Sequence, residues 1–173
     1  MLRKMADNEF DKVYSIIEKS FPADEYRPYE EQMELLKHPK YTVYVLPEDI
    51  GEGIRAFIAV WQFNSFAFIE HFAVDPKYRN NGLGSIILKE IRAMLSCFIC
   101  LEVEPEDTDF AKRRIEFYKR NGFILNNYPY HQPPISKGKK EIPLMLMTFP
   151  KELTKPEFEN IKNTLYKEVY RVL

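Results

Sequence analysis

With 173 residues, 45% of them hydrophobic and 29% charged, the chain is long enough to bury one sizeable core and has an ordinary globular composition. A formal net charge of −1 leaves no electrostatic case for wholesale nucleic-acid binding, so no nucleic-acid partner is expected. No basic-then-apolar leader is visible and no apolar run approaches the ~18 residues of a membrane span, which makes a cytoplasmic protein without a membrane partner the expectation.

Residues 2–5 read as a short edge strand. Asp7 or Asn8 can then cap a helix running to about Lys19, with Phe10, Val13, Tyr14 and Ile17 inward, and Phe21-Pro22 ends it. A charged, tyrosine-bearing loop over 23–29 leads to a second helix, with Met33, Leu35 and Leu36, that runs until His38-Pro39. Residues 41–46 and 54–63 are β-branched and aromatic throughout and read as a hairpin around the loop 47–53; residues 66–74 form the next strand.

That strand is followed by Arg79-Asn80-Asn81-Gly82-Leu83-Gly84 and then by a helix with Leu83, Ile86, Ile87, Ile91, Met94 and Leu95 on one face. Glycines at a strand-to-helix turn leave backbone N–H groups open to a ligand. The first amides of a helix lack intrahelical acceptors and lie at the positive end of its dipole, so the turn is an anion cradle suited to a phosphate or pyrophosphate. The dinucleotide pattern G-x-G-x-x-G fails at Ile87, and the Gly-Lys-Ser/Thr of an ATPase phosphate loop is absent.

Cys97 and Cys100 have C-x-x-C spacing, but they open an apolar strand over 98–104 and no second ligand pair exists. His38, His71 and His131 are too scattered for a metal site, so no metal is expected. Asp107 or Thr108 can cap a helix whose residues Ala111, Ile115 and Tyr118 form an apolar stripe, with Gly122 as its left-handed stop. Strands over 123–131 and 142–149 follow. The tail, 151–173, is an addition: Thr154, Pro156 and Glu157 resemble a capping box, and Phe158, Ile161, Leu165, Val169 and Val172 make a helical stripe. This extension either packs on the domain formed by 1–150 or makes a dimer contact.

The segment Phe72-Ala73-Val74-Asp75-Pro76 followed by Arg79, Gly82 and Gly84 resembles the acyl-CoA pyrophosphate loop of the GNAT superfamily of N-acetyltransferases. The run from Ala111 to Gly122-Phe123, with Phe117-Tyr118, resembles that superfamily's other motif; it departs upstream, where Ala111 and Arg114 stand at positions that often hold Asn and Ala. The predicted order β-α-α-β-β-β-α-β-α-β-β is that of the GNAT fold. The resemblance implies an α/β (α+β) fold, a mixed central sheet of about seven strands flanked by about four helices, here with a C-terminal helix added.

It further implies acetyl-CoA as cosubstrate, with Phe72, Ala73 and Val74 offering backbone groups to its pantetheine arm and thioester. Arg79, Asn80, Asn81, Gly82, Leu83, Gly84 and Ser85 would cradle its pyrophosphate. A backbone N–H aimed at the thioester carbonyl would also serve an oxyanion. Tyr118 is placed beside the sulfur, as the acid that protonates the leaving thiolate. An amine of pKa ~10.4 is mostly protonated at neutral pH, so a base is useful. Glu70 is the first candidate; Glu102 and Glu104, on one face of their strand, could instead bind a cationic substrate or relay protons. The family's acceptor side falls to the first inter-helix loop and the last hairpin, which supply Tyr26, Arg27 and Tyr130. Arg27 could suit a zwitterionic amino acid. The expected activity is acetyl transfer to a primary amine, small molecule or peptide, in a ternary complex; the alternative is a catalytically silent acyl-CoA-binding sensor or assembly module.

Overall fold

A computed structural model describes residues 1–172, and the elements follow the predicted order. The chain has an α/β architecture and divides into two units, Met1–Cys97 with four strands and Phe98–Leu173 with three.

In the first unit, strands β1 (Arg3–Lys4), β2 (Tyr41–Pro47), β3 (Ile54–Gln62) and β4 (Ala67–Val74) pair antiparallel in chain order. β3 is buried almost throughout, and Trp61 and Phe57 are wholly enclosed, as its unbroken apolar run requires. Helix α1 (Phe10–Ser20) buries Phe10, Val13, Tyr14, Ile16 and Ile17. A 3-10 turn over Asp7–Glu9 precedes it, and neither Asp7 nor Asn8 caps it. The capping role falls to Glu9, whose carboxylate accepts from the Ala6 N–H at 2.8 Å because Ala6 has no side-chain acceptor of its own. Arg3 holds that carboxylate in two hydrogen bonds, at 2.6 and 2.7 Å, and so keeps it ionised down to about 2.

Helix α2 (Tyr29–Glu34) continues as a 3-10 turn over Leu35–Lys37. Met33 is exposed rather than inward, since the turn directs Gln32 and Leu35 to the core, where Gln32 Nε2 donates to Tyr41 Oη at 2.9 Å. Helix α3 (Leu83–Leu95) also differs in phase from its prediction: Ile87, Leu88 and Ile91 are buried, while Ile86 and Met94 are about half exposed. Leu88 completes a stripe of i, i+1, i+4 spacing that Ile86 and Met94 flank.

In the second unit, β5 (Ile99–Val103), β7 (Ile142–Phe149) and β6 (Ile124–Gln132) pair antiparallel in that spatial order. Helix α4 (Asp109–Arg120) is capped by Thr108 Oγ1, which accepts from the Ala111 N–H at 3.0 Å, and buries Ala111, Ile115 and Tyr118. It stops as expected. Gly122 has φ +86°, its N–H donates to the Lys119 carbonyl, and that of Phe123 donates to the Tyr118 carbonyl.

Helix α5 (Lys155–Thr164) begins with the reciprocal Thr154 and Glu157 cap and buries Phe158 and Ile161. It ends in a π-helical turn, Leu165–Val169. The wider turn brings Leu165, Val169 and Tyr170 inward and leaves Val172 exposed, a correction to the predicted stripe. The extension lies against β6 of its own unit, where Phe158 stacks on Tyr128 with ring centroids 4.7 Å apart.

Candidate active site

β4 does not alternate regularly. Ala59 pairs with His71 and Val60 with Ile69, so Glu70 is an extra residue, a β-bulge. In a regular strand Glu70 and His71 would point to opposite faces. Here Glu70 Oε2 lies 3.5 Å from His71 Nδ1, and Glu70 Oε1 accepts from Arg27 Nη1 at 2.8 Å. All three side chains are buried. Burial pushes the Glu70 carboxyl up, but the charge of Arg27 and the contacts to His71 outweigh it and hold it down at about 2. Glu70 is therefore a partner locked in an ion pair, ill suited to accept a proton at neutral pH, and the expectation that it serves as the base is corrected on that ground.

Beyond β4, Asp75 caps a short 3-10 turn over Pro76–Tyr78, and the chain then passes through Asn80 (φ +67°) and Gly82 (φ +73°) into α3. Left-handed residues of this kind curl successive amides toward a common point, a nest for an anion. The Ser85 and Ile86 amides turn back to the Gly82 carbonyl. Those of Leu83 and Gly84 make no hydrogen bond among the described residues, as expected for the first turn of a helix. A Cβ built on Gly82 would meet nothing within 4 Å, so the space before the helix is open. Arg79 is pinned at the edge of this loop, its Nε donating to the Val74 carbonyl at 2.9 Å and its Nη2 to Ser20 Oγ at 3.2 Å. Such open amides, at a dipole's positive end, fit a pyrophosphate.

Tyr118, in the second unit, has a buried ring packed edge-on against Phe117 and Phe123. Its hydroxyl makes no hydrogen bond among the described residues and is not sealed from solvent. That combination suits a group that exchanges a proton with something outside the chain.

A family model described as an acetyltransferase (GNAT) domain matches residues 39–125, half of the chain. The chain belongs to the GNAT acetyltransferase family. A Bacillus subtilis (strain 168) protein, YjbC, itself named only as a candidate acetyltransferase, is 29% identical over 112 residues, covering 64% of this chain and 55% of that protein. The chain thus matches about half the length of that curated relative. The solved structure of a GNAT-family protein from Bacteroides thetaiotaomicron, also named only as a candidate acetyltransferase, is 32% identical, with a TM-score of 0.88 over 100% of this chain and 99% of that one. An aminoglycoside 6′-N-acetyltransferase solved with coenzyme A shares 15% identity and a TM-score of 0.62, covering 86% of this chain and 95% of that one; it shares the fold.

Phe72, Ala73 and Val74 lie where predicted, in the regular stretch of β4 after the bulge. The carboxylates of the second unit have different surroundings. Glu102 accepts from Tyr130 Oη at 2.5 Å and from Tyr170 Oη at 2.7 and 2.8 Å, so Tyr130 is turned to Glu102 rather than to an acceptor. Burial and the Glu102 charge push the Tyr130 hydroxyl well above its usual range. Glu104, just past β5, is half-buried and makes no hydrogen bond or ion pair among the described residues.

Arg27 is likewise spent, on Glu70, which removes the zwitterion-binding role considered for it. Tyr26 is half-exposed on the loop between α1 and α2, edge-on to Tyr14 at 6.0 Å. His71 and Tyr170 escaped the sequence reading. The first is brought to Glu70 by a bulge that no glycine or proline marks, the second to Glu102 by an irregular helical turn. Among the described residues no group of three or more His, Cys, Asp and Glu could hold a metal, and no helix is long and apolar enough to cross a membrane.

Proposed function

We propose that this GNAT chain transfers an acetyl group from acetyl-CoA directly to a primary amine, on a small molecule or a peptide, in a ternary complex. The observation that carries the reading is the glycine loop, with its left-handed Gly82 and the open amides of Leu83 and Gly84 at the N-terminus of α3. These groups, with Arg79, Asn80, Asn81 and Ser85, would hold the pyrophosphate, and the backbone of Phe72, Ala73 and Val74 the pantetheine arm. Acetyl-CoA supplies an activated acyl group. The amine nitrogen forms a bond to the thioester carbon, the carbon–sulfur bond breaks with its electron pair on sulfur, Tyr118 delivers the proton that completes the thiol, and the proton shed by the acetylated nitrogen restores Tyr118.

The attacking ammonium must first lose a proton. With Glu70 held by Arg27 and Glu102 by two tyrosines, Glu104 is the strand carboxylate left to take that proton through water, or to attract a cationic acceptor. The acceptor would enter along the loop that carries Tyr26. The occupied state of Glu70 and Glu102 also favours a second reading, a silent acyl-CoA-binding module. Initial rates with both substrates varied test direct transfer. Intersecting double-reciprocal lines are expected, whereas parallel lines would mean an acyl-enzyme and contradict the ternary complex.

A further inference from the structure

The Arg27–Glu70–His71 cluster is a buried ionic network that the chemistry above leaves unused. Its members come from two places: Glu70 and His71 from the bulge of β4, and Arg27 from the loop between α1 and α2. A second tie joins the same two segments. His71 Nε2 lies 2.8 Å from the Glu25 carbonyl, which can only accept, so Nε2 donates there, and Nδ1 lies on the side of Glu70 Oε2. Neither that oxygen nor that nitrogen has a hydrogen-bond partner among the described residues. A third contact, the Phe21 ring edge-on to His71 at 4.9 Å, closes the start of the loop, and Tyr14 Oη donates to the Arg27 carbonyl at 3.1 Å.

A buried ion pair gains little over an apolar pair of the same volume, because both charges must leave water; its best-attested use is to fix one geometry. Connecting loops, by contrast, are ordinarily the mobile part of a fold. Here one loop is fastened at Phe21, Glu25 and Arg27 to two consecutive residues of a strand, and the bulge is what lets both residues face it.

We propose that Arg27, Glu70 and His71 are positioning residues, a clamp that holds loop 22–28 against the bulge of β4 and so presents Tyr26 in a fixed place to the incoming amine. This rests on the reading that the acceptor enters along that loop. Glu70 then acts through Arg27 and does not take the amine's proton.

The full-length chain tests this with Glu70→Gln, which keeps size and removes the charge, and Arg27→Lys, which keeps the charge. Glu70→Gln is expected to raise KM for the amine about tenfold or more, with kcat and acetyl-CoA affinity changed by less than about threefold; Arg27→Lys, which keeps the ion pair's charge, is expected to raise KM less. Hydrogen exchange followed by mass spectrometry should show the amides of 22–28 exchanging about tenfold faster in Glu70→Gln, with those of 79–85 unchanged. A fall in kcat with KM and loop exchange unaltered would make Glu70 the base and overturn the clamp. Should Glu70→Gln not fold, the wild type decides. The clamp requires residues 22–28 to exchange about tenfold or more slowly than the loop 48–53, and equal exchange contradicts it. If the wild type acetylates no amine, the proposed activity fails, while the exchange comparison still decides the clamp.

Discussion

Gly82 has a backbone that L-residues with a Cβ reach only at a cost, φ +73°, yet nothing crowds its missing side chain. Conformation, not packing, explains the glycine. Asn and Asp tolerate this conformation about equally, so Gly82→Asn and Gly82→Asp should both fold, and they differ only in charge. We expect Gly82→Asp to bind acetyl-CoA about tenfold or more weakly than Gly82→Asn, because its carboxylate opposes the pyrophosphate. Equal affinities by calorimetry would remove the anion from this loop. Proton traffic is read in a second pair. Tyr118→Phe should lower turnover by about ten- to a thousandfold with acetyl-CoA affinity intact, and Glu104→Gln should do most harm at low pH, where the free amine is scarce. Unaltered pH–rate profiles in both would return Tyr118 to packing and Glu104 to the solvated surface.

Elements are stabilised by the face they bury, and the C-terminal helix shows this against its own sequence pattern. Leu165 is fully enclosed and Val172 is 49% exposed, although both fall on the predicted stripe. Leu165→Ala should therefore cost about 3 kcal/mol in urea unfolding and Val172→Ala no more than about 0.5 kcal/mol. Similar costs would mean that the helix runs regularly to its end. The same comparison shows what periodicity reveals and what it misses. Caps at Thr108 and Thr154 and the stop at Gly122 were legible, because each is a local residue meeting a local backbone need. The phase of α3 was not, since Ile86 and Ile87 are equivalent until a sheet selects one. The bulge at Glu70 was hidden for a related reason: a change in strand register is decided by the partner strand, and nothing in the run Phe68-Ile69-Glu70-His71-Phe72 announces it. Glu70 was thus found as an unusual carboxylate in an apolar strand, but its ion pair with Arg27 was not.

At the scale of the whole chain, the donor and the acceptor leave different traces. A pyrophosphate would be held by backbone amides, and glycines at a helix start leave room for it to approach them, so the proposed donor site leaves a local trace in the sequence. An acceptor is recognised by side chains, and their availability depends on which ones folding has already engaged. Arg27 and Tyr130, candidates by type, are bound to Glu70 and Glu102, whereas Glu104 emerges because no described residue claims it. The account as a whole stands on transfer to an amine. Its most direct test is thiol release from acetyl-CoA by the wild-type chain over a panel of primary amines, with the products weighed by mass spectrometry. The account predicts amine-dependent release with one acetylated amine formed per thiol. Tight acetyl-CoA binding with release no faster in the presence of any amine than in its absence would contradict it and leave a silent acyl-CoA-binding module.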